Sequence, residues 1–534
     1  VTDPAFPDRF SAGQIIAKPP AFGGGGVVVS QSRVAAEAGA AMLAAGGNAV
    51  DAAIATSLAV GVAEPWMSGL GGGALCLLQK ADGGPPEGYD FGMPSPRALD
   101  PADYPLEPGG GIAGDLFGWP KVVGDANLTG AKAVGVPGLP AGLALLHERH
   151  GSLPWSKLFE PAIALAEDGL PVDWFTLLQI ANAIEGMAED PGCAAVFLDA
   201  KGRAPNPVPL KPVCRNPALV RTLKTLSEKG MAAFYEGPLA EGIIRDLQAL
   251  GGSLSQEDLS ACKPLTYDPV AAPLGKGRVW LLPELNGGPT IIHALTALRE
   301  DLGEALDGAP SPAFFSSFAT SMMAAFSDRL ERLGDQEGRR GLESCTTHIS
   351  VIDGQGNLVA LTQTLLSVFG SKVLLPESGL LMNNAVNWFD PRPGKANSIA
   401  PGKRPLCNYV PLIGEGEVEG RGQRRFAIGG SGGRKIIPAV AQLACFLLAH
   451  GLDLEDAMAQ PRLDASAPNA VGADPRIGGE TLQALSDAGV PVTLQRWGPY
   501  PNNFAILGAV LAESGDKLGA ACPYHPWAEA VALA

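Results

Sequence analysis

The sequence lacks any paired-cysteine motif. Its eight cysteines, at 76, 193, 214, 262, 345, 407, 445 and 522, form no CxxC pair and no Cys/His cluster with zinc spacing. That excludes a structural zinc module, and mostly buried, reduced thiols are expected. No apolar run is long enough to cross a bilayer, and residues 1–20 do not read as a secretory leader. No membrane partner is therefore expected, and a cytoplasmic location is the default. The first residue is Val rather than Met, which leaves a removed leader, and hence a periplasmic location, open. Basic residues are in deficit: 39 Lys and Arg against 55 Asp and Glu give a net charge of −16, which disfavours nucleic acid and anionic membrane. No internal repeat, low-complexity tail or linker between independent domains is visible. No Ser/His/Asp triad is evident. His147 and His150, spaced i, i+3 on a predicted helix, lack a third metal ligand and read as surface residues. No cofactor and no metal are expected.

What is present is apolar. Hydrophobic residues make up 46% of the 534 and charged residues 18%, a balance that favours a large core. The 69 Gly and 47 Pro imply many tight turns. Residues 27–30 and 74–79 read as strands. Residues 32–62 read as helices broken near Gly46-Gly47. Helical patterns recur over 137–169, 217–251, 312–333 and 437–450, residues 80–130 are loop-rich, and residues 1–26 read as an extended arm.

The informative stretch lies between Cys345 and Thr364. Residues 349–352 and 358–361 are strand-like, and Asp353-Gly-Gln-Gly-Asn357 is turn chemistry, so the unit reads as a β-hairpin. Pairing outward from Gln355 sets Ile352 opposite Leu358, Ser350 opposite Ala360, and Thr346 opposite Thr364. Opposed side chains share a face, roughly 5 Å apart at Cβ. A threonine hydroxyl is a poor nucleophile at neutral pH unless a base adjoins it. A free α-amine on the same residue can serve, but only if the bond before Thr346 is cut. Taken alone, the hairpin reads as an ordinary cross-strand Thr pair that stabilises the sheet. His348 shares a face with Thr346 and reads as structural.

The segment Thr346-Thr-His-Ile-Ser-Val-Ile-Asp353, with Gly356-Asn-Leu-Val-Ala-Leu-Thr-Gln-Thr364, resembles the start of the small subunit of the γ-glutamyltransferase family. Phe369-Gly-Ser371, Ser378-Gly-Leu-Leu-Met-Asn-Asn384, Pro405-Leu406 and Gly429-Gly-Ser-Gly-Gly433 continue the likeness. Upstream it is carried by Glu37-Ala-Gly39, Leu43-Ala-Ala-Gly-Gly-Asn-Ala-Val-Asp-Ala-Ala53, Glu64-Pro65, Ser68-Gly-Leu-Gly-Gly-Gly73 and Gly135-Val-Pro-Gly138. The resemblance implies an α+β fold, the four-layer αββα sandwich of N-terminal-nucleophile hydrolases. It implies autocleavage between Cys345 and Thr346, giving a large subunit of residues 1–345 and a small one of 346–534 that stay together as a heterodimer in one cooperative body. It implies that Thr346 is the nucleophile, that Thr364 orients it, and that the N–H groups of Gly432 and Gly433 form the oxyanion hole.

The same resemblance exposes departures. Where the family holds a glutamyl α-carboxylate with Arg, Asp90-Phe-Gly-Met-Pro-Ser-Pro96 offers Gly92, or Met93 one residue on. Leu366, Ala385 and Trp388 stand at family positions for Asn, an acidic or amide residue, and Asp. Cys407-Asn408 replaces a serine pair. Only sixteen residues, 330–345, separate Ser327-Asp-Arg329 from Thr346, fewer than the family usually has, which predicts a more open site and puts efficient autocleavage in question. Asn387-Trp-Phe-Asp-Pro-Arg-Pro-Gly394 and Ser398-Ile-Ala-Pro-Gly-Lys-Arg404 are similar to the family branch that contains cephalosporin acylases. The expected function is therefore a self-processing amidohydrolase acting on a small-molecule N-acyl amide. Its acyl pocket is floored by Trp388, with Arg434, Arg97 or Arg392 as anchors for a distal carboxylate. A γ-glutamyl hydrolase or transpeptidase with a rebuilt pocket, and a non-catalytic binding protein, are the alternatives.

Overall fold

A computed structural model describes residues 18–113, 118–208, 212–333, 345–496 and 503–534. Two seven-stranded antiparallel sheets face each other. The first runs Glu529–Leu533, Gly26–Ser30, Cys345–Asp353, Leu358–Leu366, Gly73–Gln79, Glu87–Phe91 and Leu265–Tyr267 across the sheet. The second runs Ala21–Phe22, Asp516–Ala521, Ile506–Glu513, Gly422–Ser431, Leu412–Val418, Gly277–Leu281 and Val270–Leu274. Helices Arg33–Ala44, Ala49–Ala63, Leu139–His150 and Glu160–Asp168 bury an apolar cluster against the first sheet. Helices Gly288–Leu302, Pro312–Arg332 and Ile436–Leu448 do the same on the second. A third cluster fills the space between the sheets. This is the four-layer αββα arrangement that the sequence led us to expect.

Composition explains the outer layers. Ala49–Ala63 and Ile436–Leu448 are apolar all round and almost wholly buried, as helices locked between a sheet and other helices must be. Asn48 starts the first of these with a capping box to Asp51. The turn of the central hairpin is tied to the same helix end. Asp353 Oδ1 accepts from the backbone N–H groups of Gln355, Gly356 and Asn357 at 2.9–3.0 Å, and Oδ2 accepts from Ala49 N at 3.0 Å.

Several segments depart from the sequence reading. Helices Trp174–Glu189 and Pro191–Phe197 and strands Leu265–Tyr267, Val270–Leu274 and Gly277–Leu281 were not expected, and strand Glu87–Phe91 lies inside the loop-rich stretch. His147 and His150 are not solvated surface residues. The His147 ring packs on Trp155 with Nε2 at 2.9 Å from Leu153 O, and His150 Nε2 lies 2.7 Å from the Tyr89 hydroxyl. Of the expected N-terminal arm, residues 1–17 lie outside the described residues, and so do residues 334–344 of the short segment before Thr346. Six of the seven cysteines whose side chains are described are buried, and all seven are free.

Candidate active site

The hairpin pairs as the spacing implies from Ile352–Leu358 back to Thr347–Gln363. There the register shifts, and Cys345 pairs with Leu366. The bulge arises because Leu366 leaves the extended conformation: its φ is +86°, a value that non-glycine residues rarely adopt. Its N–H turns inward and donates to Thr364 Oγ1 at 2.8 Å. Thr346 and Thr364 still converge, with their hydroxyl oxygens 3.4 Å apart and both side chains buried. A second hydroxyl, itself oriented by a backbone donor, therefore sits beside the Thr346 hydroxyl.

The facing sheet brings the glycine pair to the same end. His348 projects between the sheets onto Gly429, where an added Cβ would lie 2.4 Å from the imidazole Cε1. Two residues beyond Gly429, Ser431 Oγ accepts from Gln31 Nε2 at 2.5 Å. Gln31 continues the strand whose Ser30 pairs with Ile349. The turn after Ser431 thus lies at the Thr346 end of the hairpin. Gly432 and Gly433 have φ of +133° and +59°, conformations open to glycine at no steric cost. They lead through the turn Gly433–Lys435 into the N-terminus of Ile436–Leu448, where backbone N–H groups have no partners within the helix. His348 is not a base in this arrangement. Burial pushes its pKa down to about 3, and its nitrogens lie 2.8 Å from Thr362 Oγ1 and Ser350 Oγ. It is a neutral structural residue, as expected.

Beside the glycine turn lies a narrow cleft lined by Trp119, Arg329, Trp388, Asn408 and Arg434, among others. The Arg434 guanidinium lies over the Trp119 ring, 5.5 Å from its centre. Trp388 is buried, edge-on to Tyr409 at 5.2 Å between ring centres, so it serves the core and the cleft together. Arg97 and Arg392 are elsewhere. Arg97 is exposed and pairs with Glu257 at 2.7 Å, and Arg392 is spent on the buried Asp390, with two contacts of 3.0 Å. Of the three arginines named from the sequence, Arg434 alone lines the cleft.

Arg329 was not expected there. Its guanidinium is buried and donates to Asn286 O, Cys407 O and Asn408 Oδ1 at 2.6–3.0 Å, with Thr290 Oγ1 at 3.4 Å. All four acceptors are neutral. Burial lowers its pKa to about 10, and the charge of Arg434 adds to that lowering. Two guanidinium groups therefore flank one cleft. Among the described residues, Asn408 Nδ2 is buried without a partner in the same lining. A sequence signal existed: Phe315, Ala319, Met322, Phe326 and Arg329 recur every three to four residues along the buried face of Pro312–Arg332, which puts a charge in an apolar stripe.

The substituted positions fall together. Met93, Leu366, Ala385, Trp388 and Cys407 join Trp119 and Tyr409 in the one apolar cluster between the sheets. Ala385 abuts Gly135, where a Cβ would come within 2.8 Å of its own. Gly92 is away from the cleft lining. Its N–H donates to Asp90 Oδ1 at 2.7 Å, and the same oxygen takes Arg404 Nη1 at 3.0 Å. Asn383 and Asn384 are backbone clamps. Asn383 binds Gly71 O and both backbone groups of Gly135, and Asn384 binds Leu128 O and Ser367.

A family model described as gamma-glutamyltranspeptidase matches residues 35–345 and 336–526 of the chain. The chain is 32% identical over 488 residues to the acylase ACY 1 proenzyme of Pseudomonas sp. (strain SE83), covering 84% of this chain and 83% of that one. It is 28% identical over 517 residues to the glutathione hydrolase proenzyme of Escherichia coli (strain K12), with 87% and 85% covered. Among solved structures, the cephalosporin acylase from Bacillus halodurans superposes with a TM-score of 0.81, at 23% identity and 99% coverage of both chains.

Proposed function

Because the chain belongs to the gamma-glutamyltranspeptidase family, and is thus an amidohydrolase, we propose that it cleaves N-acyl amides whose acyl group ends in a carboxylate but carries no α-amine. Maturation comes first. Thr346 Oγ1 attacks the carbonyl of Cys345, the peptide shifts to an ester, and water hydrolyses it. Residues 1–345 then end in a carboxylate and Thr346 gains a free α-amine. In turnover that amine takes the hydroxyl proton as Oγ1 adds to the substrate carbonyl. The oxyanion is held by the N–H groups of Gly432 and Gly433, where loss of one such donor typically costs about 3 kcal/mol. The proton passes to the leaving nitrogen, the amine departs, and water activated by the same α-amine releases the acid and restores Thr346.

The observation that carries the substrate reading is the merger of Leu366, Ala385, Trp388 and Cys407 into one apolar cluster beside a cleft flanked by Arg329 and Arg434. An ammonium group has no acidic partner in that lining, and burying it unpaired costs on the order of several kcal/mol. A terminal carboxylate, in contrast, meets guanidinium donors. Acylase and glutathione hydrolase relatives both stand behind the reaction class.

One observation favours γ-glutamyl substrates instead. Arg404 Nη1 lies 3.5 Å from where a Cβ on Gly92 would be, so a guanidinium borders the family's arginine position, although Asp90 pairs with it. Turnover of glutaryl-anilide against γ-glutamyl-anilide by the processed enzyme separates the readings. We expect the glutaryl compound, which lacks only the α-amine and its charge, to be cleaved at least tenfold faster in kcat/KM. Faster cleavage of the γ-glutamyl compound overturns the assignment.

A further inference from the structure

On the side of the hairpin away from the cleft, Glu64 is completely buried, and neither carboxyl oxygen has a hydrogen-bond partner among the described residues. It ends helix Ala49–Ala63, where the negative end of the helix dipole opposes a carboxylate charge. The group facing it is His525, with Nε2 at 4.0 Å from Oε1. His525 Nδ1 accepts from the N–H groups of Trp527 and Ala528 at 3.3 and 3.0 Å. A nitrogen that accepts bears no proton, so the imidazole proton is on Nε2 and the ring is neutral. His525 therefore supplies no charge to balance a Glu64 carboxylate. The surroundings are aromatic: Phe175 packs on His525 at 5.1 Å, and Trp66 packs on both Phe175 and Trp527 at 6.0 and 5.3 Å. Two charged groups hold the His525–Trp527 segment rather than the carboxyl itself. Lys18 binds His525 O, and Asp173 takes the Trp527 indole N–H.

The turn that Glu64 begins touches the catalytic strand. Trp66 O and Met67 O accept from Phe369 N and Leu365 N, each at 3.1 Å, and Ser68 Oγ accepts from Gln363 Nε2 at 2.9 Å. These bonds bracket Thr364 and the bulged Leu366.

We propose that Glu64 is a positioning residue that works as a neutral carboxylic acid, so that the 64–68 turn can hold the backbone around Thr364. Burial pushes its pKa up to about 8, in agreement with the geometry. Ionisation leaves a charge with no counterion in the aromatic box, displaces the turn, and loosens the Thr364–Leu366 backbone. The loss falls on kcat, because the acyl cleft is formed by other elements.

The test is the alkaline limb of the kcat profile on whichever anilide turns over. The wild-type enzyme loses kcat about tenfold per pH unit above about pH 8, with KM little changed. Glu64→Gln, which keeps shape and neutrality, abolishes that limb. Glu64→Asp, which shortens the side chain and still ionises, lowers kcat throughout. The α-amine of Thr346 titrates in the same region but gives an acid limb, so the two are distinguishable. An unchanged alkaline limb in Glu64→Gln overturns the proposal. The activity arm rests on the reading of Thr364 as a partner of the nucleophile. A second arm does not and needs no variant to fold: infrared spectra of the wild-type protein at neutral pH contain the carbonyl stretch of a buried protonated carboxylic acid, lost on titration through the same range. Its absence overturns the proposal whatever the substrate.

Discussion

Arg434 and Arg329 share one cleft but have different tasks in the proposed mechanism. Arg329 donates to three backbone or amide oxygens and to the hydroxyl of Thr290, so much of its hydrogen-bonding capacity is committed to the walls. Arg434 projects from the turn next to the oxyanion glycines and lies over Trp119. Arg434→Ala is expected to raise KM for the glutaryl-anilide and lower kcat/KM by about 10- to 100-fold, the worth of roughly 1.5–3 kcal/mol in a charged hydrogen bond. A neutral acyl-anilide of equal length is expected to be little affected, and steady-state kinetics on the pair checks both. At this scale the sequence was partly legible. The approach of Thr364 to Thr346 followed from spacing, the glycine turn at the same end from motif, and the place of Arg434 in the cleft lining from adjacency to the glycines. Arg329 was not, because its role comes from the burial of the helix face that carries it. Arg97 and Arg392 drop out because Glu257 and Asp390 claim them, which only the fold reveals.

The central hairpin is specified from both ends. Asp353 fixes the turn through its carboxylate, and His348 fixes the face through its fit over Gly429. Gly429→Ala would set a methyl 2.4 Å from a buried ring carbon of His348, whose two nitrogens are already held by Thr362 and Ser350. It is expected to cost about 1–3 kcal/mol and to lower the thermal midpoint by several degrees, as overpacking does. Calorimetry on the variant checks this, and an unchanged midpoint would mean that the two sheets are not in contact there. The hairpin itself could be read because its turn chemistry and alternation are local. The bulge at Leu366 could not, because the positive φ is imposed from outside: Met67 O takes Leu365 N, and the Leu366 side chain is packed between the sheets. Helix Trp174–Glu189 was missed for a related reason. Its buried face packs on Trp66, Met67, Phe369 and other residues distant in sequence, so no strong local pattern announces it.

At the scale of the molecule, two buried histidines and one buried carboxyl set opposite limits on stability. His348 and His525 have folded pKa values pushed down to about 3 by burial, against 6.5 when unfolded. Below about pH 6.5 the unfolded chain binds protons that the folded chain refuses, so stability falls as pH drops from there towards 3. Glu64 has the opposite sign. Its folded pKa of about 8 exceeds the unfolded 4.5, so stability falls as pH rises between those values. The thermal midpoint of the processed protein is expected to peak within the overlap. Glu64→Gln should flatten the alkaline side, and His348→Gln should remove one of the contributions to the acid side. A midpoint independent of pH across this range would contradict the burial of these groups.

The αββα architecture was legible because motifs along most of the chain pointed to one family. The proposed acyl pocket was legible only as a set of replaced positions. That those positions coalesce into one cluster is a property of the folded sandwich.

The central claim is that Thr346 becomes the N-terminal residue of the working enzyme. Denaturing electrophoresis with N-terminal sequencing of the purified protein tests it most directly. The account predicts two bands, one beginning Thr-Thr-His-Ile from position 346, and a single uncut chain in Thr346→Ala. A wild-type chain that hydrolyses amides while still uncut, or one cut so that Thr346 is internal, would contradict it.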